Sequence, residues 1–539
     1  MGAPSLFATR LIADTMNTRY GPLMGLSSGS ATAQTVEAEQ RQRMPCAGTI
    51  KELRLQAFSD PGAGNSIAVT LRVNGSSTAL TVTISDTTRY AEDLSNEVAV
   101  AAGDLVDWIV VPTSNPTDET NMTVTAVFIS DDDNIPLLGH NAAGDAGDLN
   151  YSTGIGSTFA AWDSSLDNSE KSKIPIAGTI TAFYVEAVAS SVFSAGTKLR
   201  LFKNGSVEAS ADITLGSAAG THQGAATGLS IAVAAGDDIE VQLDIVSVYN
   251  NTSIKWGVAF TPTTPNQSLI SFGVVPSTSA ASYPGLLTGH FVGLSSEQPW
   301  PMPECTIKDV SADVSTAPGS GKTWDIDTRV GSTLGGVANG NTHLDIDGTA
   351  TSDSDTTSDA LSAGHFFAVK FTPGGTPTGV GDAMRIWATV EFPSGLIIVP
   401  LAGSLPAMSG VVVDTQLVAP AGNLPAQTGA LQLAATIAIA GNLPSQSGLV
   451  AVKMFSAPTG DLPAMSGTIA YSAIYSASVA GNLPAMSGVV AFLQSVFLAG
   501  DLPAQSGALQ LLAHIALAGD LPSQSGDISA VLPAVHPTG

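Results

Sequence analysis

Residues 44–58 read "MPCAGTIKELRLQAF", and residues 174–188 read "IPIAGTITAFYVEAV". Each is followed by an Asn-Gly pair, in "LRVNGS" and "LFKNGS", and Gly48 to Gly75 and Gly178 to Gly205 are both 27 residues apart. Farther along, "VAVAAGDLVDWIVV" (98–111) matches "IAVAAGDDIEVQLDI" (231–245). An ordered series of matches at one spacing is an internal duplication. A third, more diverged copy opens at "MPECTIKDVSADV" (302–314), has an Asn-Gly at 339–340, and replaces the Gly-Asp step by "LSAGHFFAVKFTP" (361–373).

Within these units the apolar positions alternate: Leu71 and Val73 before Asn74-Gly75, then Leu80, Val82 and Ile84 after it. Asn-Gly between two alternating runs signals a type I′ hairpin, whose two central residues need positive φ. Short β-branched runs between turns, in units of about 90 residues, point to an all-β chain of three tandem antiparallel jelly-roll-like sandwiches. The Gly-Asp steps at 103–104 and 236–237 read as tight turns into core strands. The expected layout is a docking segment and loop at 1–43, then sandwiches at 44–130, 131–262 and 263–394, the last two with leading loops. Similar Pro/Leu/Gly segments, "YGPLMGLSS" (20–28), "IPLLGHNAA" (135–143) and "YPGLLTGHF" (283–291), stand at variable distances before the copies and read as exposed loops. Residues 33–43 read as a short helix in the first of them.

From 395 to 539 the chain changes character. An octet of the form "GNLPAMSG" opens at 403, 422, 441, 460, 481, 500 and 519, at spacings of 19, 19, 19, 21, 19 and 19. Between octets the alternation suggests a strand of about eleven residues, roughly 36 Å long. Pro ends such a strand and the bracketing glycines allow a turn, so each repeat reads as one strand and one turn. "ALQLAATIAIAGNLPSQSG" (430–448) returns as "ALQLLAHIALAGDLPSQSG" (508–526), a copied block of four repeats, which suits a shaft or spacer better than a catalytic module. Residues 396–539 carry six charges, Asp414, Lys453, Asp461, Asp501, Asp520 and Asp527. Strands so poor in charge aggregate if their faces stay open. Two geometries cover them: an intertwined homo-oligomeric shaft, and a single-chain solenoid or meander closed by a partner. A membrane barrel fits less well, because interfacial aromatics are sparse.

Across the whole chain, 46 acidic and 20 basic residues give a formal net charge of −26, which repels nucleic acid. The opening residues lack the apolar core of a secretion signal and Leu6 breaks the myristoylation pattern, so synthesis in a cytoplasm is expected. No apolar run is long enough to span a bilayer as a helix. Two cysteines, Cys46 and Cys305, are too few for a disulfide scaffold and read as small buried side chains.

Chemical motifs are weak throughout. "APGSGKTWD" (317–325) has Thr316 where a phosphate loop needs its first Gly, and the residues after it alternate like a strand. "SDDDN" (130–134) and "HLDIDGTATSDSDTTSD" (343–359) gather carboxylates without EF-hand spacing, so they read as solvated acidic loops that recruit divalent cations loosely. The histidines at 140, 222, 290, 343, 365, 514 and 536 show no metal-ligand spacing. Trp108, Trp256 and Trp387 lie in alternating strands and read as core, whereas Trp162 and Trp300 are the better candidates for an exposed sugar contact. The expectation is a chain that is not an enzyme, with no catalytic, cofactor-binding or metal residues and no cofactor.

The tandem "P-x-A-G-T-I … N-G … A-A-G-D" units followed by "L-P-A-M-S-G" repeats resemble virion structural proteins of tailed bacteriophages, of the jelly-roll fibre or appendage kind, over about residues 20–539. The resemblance implies a fibre or capsid decoration assembled in the host cytoplasm, as a homotrimer. Its partners would be other virion proteins and a host-surface glycan or protein, with no nucleic acid and no membrane insertion. A bacterial surface adhesin or carbohydrate-binding protein is the alternative, and a polysaccharide-cleaving enzyme a third reading.

Overall fold

The computed structural model describes residues 3–393 except 15, 27–34, 117–119, 143–148, 154, 159–170, 190–195, 217–219, 245–251, 275, 284–296, 298 and 378–383, and beyond 408 the strand segments given below. The chain divides into two units, Met1–Ser394 and Gly395–Gly539.

The first ten strands are β1 (Pro4–Ala13), β2 (Arg19–Gly21), β3 (Gly25–Leu26), β4 (Gln42–Arg43), β5 (Gly48–Ala57), β6 (Gly62–Val73), β7 (Ser76–Asp86), β8 (Tyr90–Val100), β9 (Leu105–Thr113) and β10 (Thr120–Ser130). Alternation does what was expected of it: in β7, Leu80, Val82 and Ile84 are buried while Thr81 and Thr83 are exposed. Burying each such side chain contributes roughly 1.5–3 kcal/mol. One sheet, here the terminal sheet, runs β3-β1-β10-β5-β8; the other, the middle sheet, runs β2-β9-β6-β7 with β4 on β9. First strand beside last and second beside second-to-last is jelly-roll winding.

The second sandwich repeats it with β11 (Ile135–Ala142), β12 (Leu149–Thr153), β13 (Gly156–Thr158), β14 (Ser172–Lys173), β15 (Gly178–Ala189), β16 (Lys198–Lys203), β17 (Ser206–Val207), β18 (Ile213–Thr214), β19 (Gly220–Val233), β20 (Asp238–Asp244) and β21 (Thr252–Pro262). Its terminal sheet is β13-β11-β21-β15-β19 and its middle sheet β12-β20-β16-β17, with β14 on β20 and β18 on β16. The third has β22 (Gln267–Val274), β23 (Trp300–Pro301), β24 (Cys305–Asp313), β25 (Gly319–Gly331), β26 (Ala338–Gly348), β27 (Ser352–Leu361), β28 (Phe366–Gly374) and β29 (Met384–Glu391). Its sheets are β22-β29-β24-β27 and β23-β28-β25-β26. All three antiparallel sandwiches therefore share one winding.

Several boundaries differ from the sequence reading. Residues 4–13, expected in a docking segment, form β1, which pairs with β10 over its whole length. The segment 135–142, expected as an exposed loop, is β11, with Leu137 and Leu138 buried. A strand that opens each sandwich lies far from its sheet partners in sequence, so local pattern alone does not attach it. The helix expected over 33–43 is a single turn, Glu37–Gln40. Most of 283–291 lies outside the described residues.

Glycine has a steric role at Gly48 and Gly178. A Cβ at Gly48 would meet the Ile129 carbonyl oxygen and the Phe128 ring, and one at Gly178 the Thr261 carbonyl oxygen and the Phe260 ring. The shared "A-G-T-I" is the place where the last strand's aromatic ring lies against bare backbone.

The second unit contains β30 (Ser409–Asp414), β31 (Gln427–Ala434), β32 (Gln446–Met454), β33 (Met465–Ala473), β34 (Ala477–Ala480), β35 (Met486–Phe492), β36 (Val496–Ala499), β37 (Ser506–Leu511), β38 (Ile515–Leu517) and β39 (Ile528–Ala530). Seven of them form a sheet in the order β30-β31-β32-β33-β35-β37-β39, and β34-β36-β38 form another. Every pairing is parallel and joins repeat to repeat, so Gly410, Gly429, Gly448, Gly467, Gly488 and Gly507 form one ladder. Ladder neighbours belong to the same chain, which is the solenoid among the expected geometries; a meander or a membrane barrel would be antiparallel.

Two details of the repeat were misread. Among the described residues, the closing Gly of the first six octets lies inside a strand rather than in the turn, and three repeats hold two strands each (β33 and β34, β35 and β36, β37 and β38) instead of one long one. A coil must bend twice to return over itself, which an unbroken eleven-residue strand would prevent. Met465 pairs with Met486 at an offset of 21, while Ala477 pairs with Val496 at 19, so the irregular spacing is absorbed between β33 and β34.

Candidate functional site

The motifs weighed for chemistry fall mostly into architecture. Residues 319–325 of the phosphate-loop-like stretch belong to β25, which runs to Gly331, and no helix opens at the loop; the next helical element is the single 3-10 turn Leu334–Gly336. The acidic stretch 343–359, expected as a loop, lies largely in β26 and β27, which pair with β25 and β24 respectively. There Asp325 stands directly opposite Asp345, and burial together with Asp325 and Asp347 raises the Asp345 carboxyl above its ordinary value. His343 Nδ1 lies 2.8 Å from Asp327 Oδ1, and that hydrogen bond raises the imidazole pKa. The acidic turn 130–134 is tied down by hydrogen bonds: Ser130 Oγ donates to Asp132 Oδ1 at 2.7 Å within it, and Asn134 Oδ1 accepts from Thr181 Oγ1 of β15 at 2.9 Å. Among the described residues no group of three or more His, Cys, Asp or Glu is placed to hold a metal ion.

Trp300 was the wrong candidate for an exposed contact: it is 1% exposed, because it pairs through β23 with β28 and lies under the first sandwich. Trp162, His290, His514 and His536 lie outside the described residues. Trp108 and Trp256 are fully buried, while Trp387 is half-buried with the Lys173 ammonium 5.9 Å above its ring. Cys46 and Cys305 are free and buried; burial pushes both thiols up, that of Cys305 to about 12.

The two sequence signatures meet in space. Asn74 and Asn204 both have φ 51, as the hairpin requires. Asn74 Nδ2 donates to Asp104 Oδ1 at 2.8 Å, and Asn204 Nδ2 to Asp237 Oδ1 at 2.8 Å. The Asn-Gly turn and the Gly-Asp turn of one sandwich thus tie each other down. In the third sandwich Asn339-Gly340 lies within β26, so the tie is absent, yet the second bend survives: Gly364 has φ 79, and His365 N donates to Ser362 O as Asp104 N does to Ala101 O. The same backbone clamp recurs in all three: Gly103 N to Met44 O, Gly236 N to Ile174 O and Gly364 N to Met302 O.

Charged side chains tie the first two joints between sandwiches. At the first joint, the middle sheet of sandwich one faces the terminal sheet of sandwich two. Arg43 on β4 donates to Gly224 O at 3.0 Å and lies 5.2 Å over the Tyr184 ring. Arg41 reaches Glu186 at 3.3 Å, Gln223 Nε2 donates to Glu186 Oε2 at 2.7 Å, and Lys255 lies 3.8 Å from Glu186 with both side chains fully buried. Lys255 also donates to the Ala38 carbonyl of the short helix.

At the second joint, the middle sheet of sandwich two faces the terminal sheet of sandwich three: Arg385 on β29 reaches Asp238 at 3.0 Å and clamps Asp313, while Lys173 on β14 covers Trp387. Arg43 and Lys173 occupy the same place in their copies, each immediately before the "M/I-P" pair. At the third, the middle sheet of sandwich three returns to the terminal sheet of sandwich one. Thr123 Oγ1 donates to Pro299 O at 3.3 Å, Thr125 Oγ1 to Pro301 O, and Tyr90 and Phe366 meet edge to face at 5.8 Å. The three sandwiches close a head-to-tail cycle.

Two carboxyls inside this cycle are poorly served. Asp107 on β9 and Glu240 on β20 are fully buried, and neither makes a hydrogen bond of good geometry, the Gly205 N–H being a donor that approaches Glu240. Burial, then repulsion from Glu37, pushes Asp107 up to about 8 against Arg72, Arg41 and Lys255. Burial, then Asp238, pushes Glu240 up to about 7 against Lys171 and Arg385. Each lies four residues after the Gly of its Gly-Asp turn, where the third copy has Ala368. Sequence reading missed both, although an acid at one repeat position inside a core-type strand was a signal.

No protein-family model matches this chain, and no curated protein matches it. Among solved structures it is similar to one described as "The Triple Jelly Roll Fold and Turret Assembly in an Archaeal Virus", with 7% identity and a TM-score of 0.16, over 72% of this chain and 90% of that one. At that level the three-sandwich assignment rests on the strand orders given above. Among the described residues no helix is long and apolar enough to cross a membrane.

Proposed function

We propose that this chain is a structural component of a virus particle, in its finer form a fibre or appendage of a tailed bacteriophage with a part in host-surface attachment. The observation that carries the reading is the head-to-tail cycle of three jelly rolls, in which the recurring turns, glycines and buried charges hold architecture together rather than surround a reactive group. The in-register repeat unit supports it, since a ladder copied four repeats at a time changes length without changing shape. On this reading the chain is not an enzyme and needs no cofactor. Its partners are other virion proteins, with assembly in the host cytoplasm.

The three joints close the cycle of sandwiches within one chain, so a homotrimer would form through the charge-poor repeats. Gold-labelled antibody against the sandwich unit, applied to purified particles, should decorate a surface projection, and absence of the chain from purified particles would overturn the reading. Mass in solution tests the trimer separately: a stable species near the 54.5 kDa of one chain removes it and leaves the virion role standing.

A further inference from the structure

The three joints of the cycle differ in one chemical respect. The first two receive from the middle sheet a cation, Arg43 or Lys173, and a buried carboxyl, Asp107 or Glu240; the third receives Pro301 and Ala368 at the same repeat positions. Asp107 faces Glu37 and Arg41 from the helical turn, Arg72 from β6, and Lys255 with its partner Glu186 from sandwich two. Glu240 faces Asp238 on its own strand, Lys171, and Arg385 with its partner Asp313 from sandwich three. A buried carboxyl without good hydrogen bonds is tolerated neutral and is costly as an anion.

We propose that protonation of Asp107 and Glu240 locks the first and second joints, and that their ionisation loosens both while the third joint stays closed. The direction follows from linkage. A carboxyl whose pKa is higher in the closed joint than in water favours closure most below about pH 4, and that contribution declines as the pH rises and is exhausted above about 8. Across the interval, closure weakens about tenfold per pH unit for each proton released. The device is therefore tight in mild acid and loose in mild alkali. The third joint is an internal control, because its middle-sheet side brings Ala368 to the position of the two acids.

Each joint contains an aromatic reporter: Tyr184 in the first, Trp387 in the second and Phe366 in the third. Hydroxyl-radical footprinting of the full chain at pH 6 and pH 9 reads all three at once. Oxidation of Tyr184 and Trp387 should rise severalfold at pH 9 and reverse on return to pH 6, with Phe366 unchanged. The pair Asp107→Asn and Glu240→Gln, which keeps shape and removes the titration, should flatten both responses. Should the double variant fail to fold, the singles decide: Asp107→Asn should flatten Tyr184 and spare Trp387, and Glu240→Gln the reverse. Equal oxidation at both pH values in the unaltered chain, a response that persists in the variants, or a parallel rise at Phe366 would each overturn the proposal.

Discussion

The two units of this protein solve the same problem, pairing β-strands, by opposite means. In the first, strands pair antiparallel with partners far away in sequence: β1 with β10, β11 with β21, β22 with β29. The central strands of those sheets then meet neighbouring sandwiches, with charged side chains at the first two joints, while the edge strands β8, β19 and β27 keep exposed positions. In the second, each strand pairs parallel with the equivalent strand of the next repeat, and residues 396–539 contain only six charges. Non-local closure makes the sandwich unit cooperative and sensitive to single residues; nearest-neighbour closure makes the repeat unit tolerant of length.

The comparison breaks first, if it breaks, at Glu186. Glu186→Ala removes the carboxylate that Lys255, Arg41 and Gln223 share, and should cost about 3–5 kcal/mol, since a buried cation loses its counter-charge. Denaturant unfolding should show the loss; a change below about 1 kcal/mol would mean the joint is wetter than the geometry indicates. A smaller effect is expected where turn meets turn. Asn74→Ala removes the tie to Asp104 and places a β-carbon residue at φ 51, for about 1–2 kcal/mol. No such cost should follow from Asn339→Ala beyond its contact with Arg329, because that Asn-Gly lies within a strand.

The smallest effect belongs to the largest deletion. Excising residues 427–445 joins the chain one full repeat later, so β30 can pair with β32 in unchanged register. The melting temperature should move by only about a few degrees, the share of one repeat in a stacked array. Excising one residue fewer would put the rejoined strand one position out of step and should cost more, because a single-residue slip exchanges the two faces of the strand at that junction. Circular dichroism against temperature distinguishes the two excisions directly.

How much was legible follows from the range of each interaction. The Asn-Gly and Gly-Asp turns were readable because positive φ leaves a local trace in residue type, and both bends occur where expected at 74–75 and 103–104. In copy three the same logic failed at 339–340, since Asn and Gly are also used inside strands: Gly340 leaves room for Asp359 and Thr328 rather than a turn. Trp300 looked exposed because it stands among prolines, but burial is decided by what covers a residue, and its cover comes from a sandwich 176 residues earlier in the chain. Asp107 and Glu240 were passed over because each reads as one polar position in an alternating strand, which is ordinarily its solvent side.

By itself the sequence determined what depends on nearest neighbours: an all-β chain, strands marked by period-two alternation, bends marked by Gly, Asn and Pro, three copies of one unit, and a repeat of 19 residues. Backbone dihedrals and strand pleat act over a few residues, so they are written there directly. Only the tertiary structure decided which strands open each sandwich, that the repeats stack parallel in register, and that the outward polar faces turn inward at the joints. These depend on surfaces meeting across hundreds of residues, and a carboxyl that would be solvated on one sandwich becomes a buried acid once a second sandwich covers it.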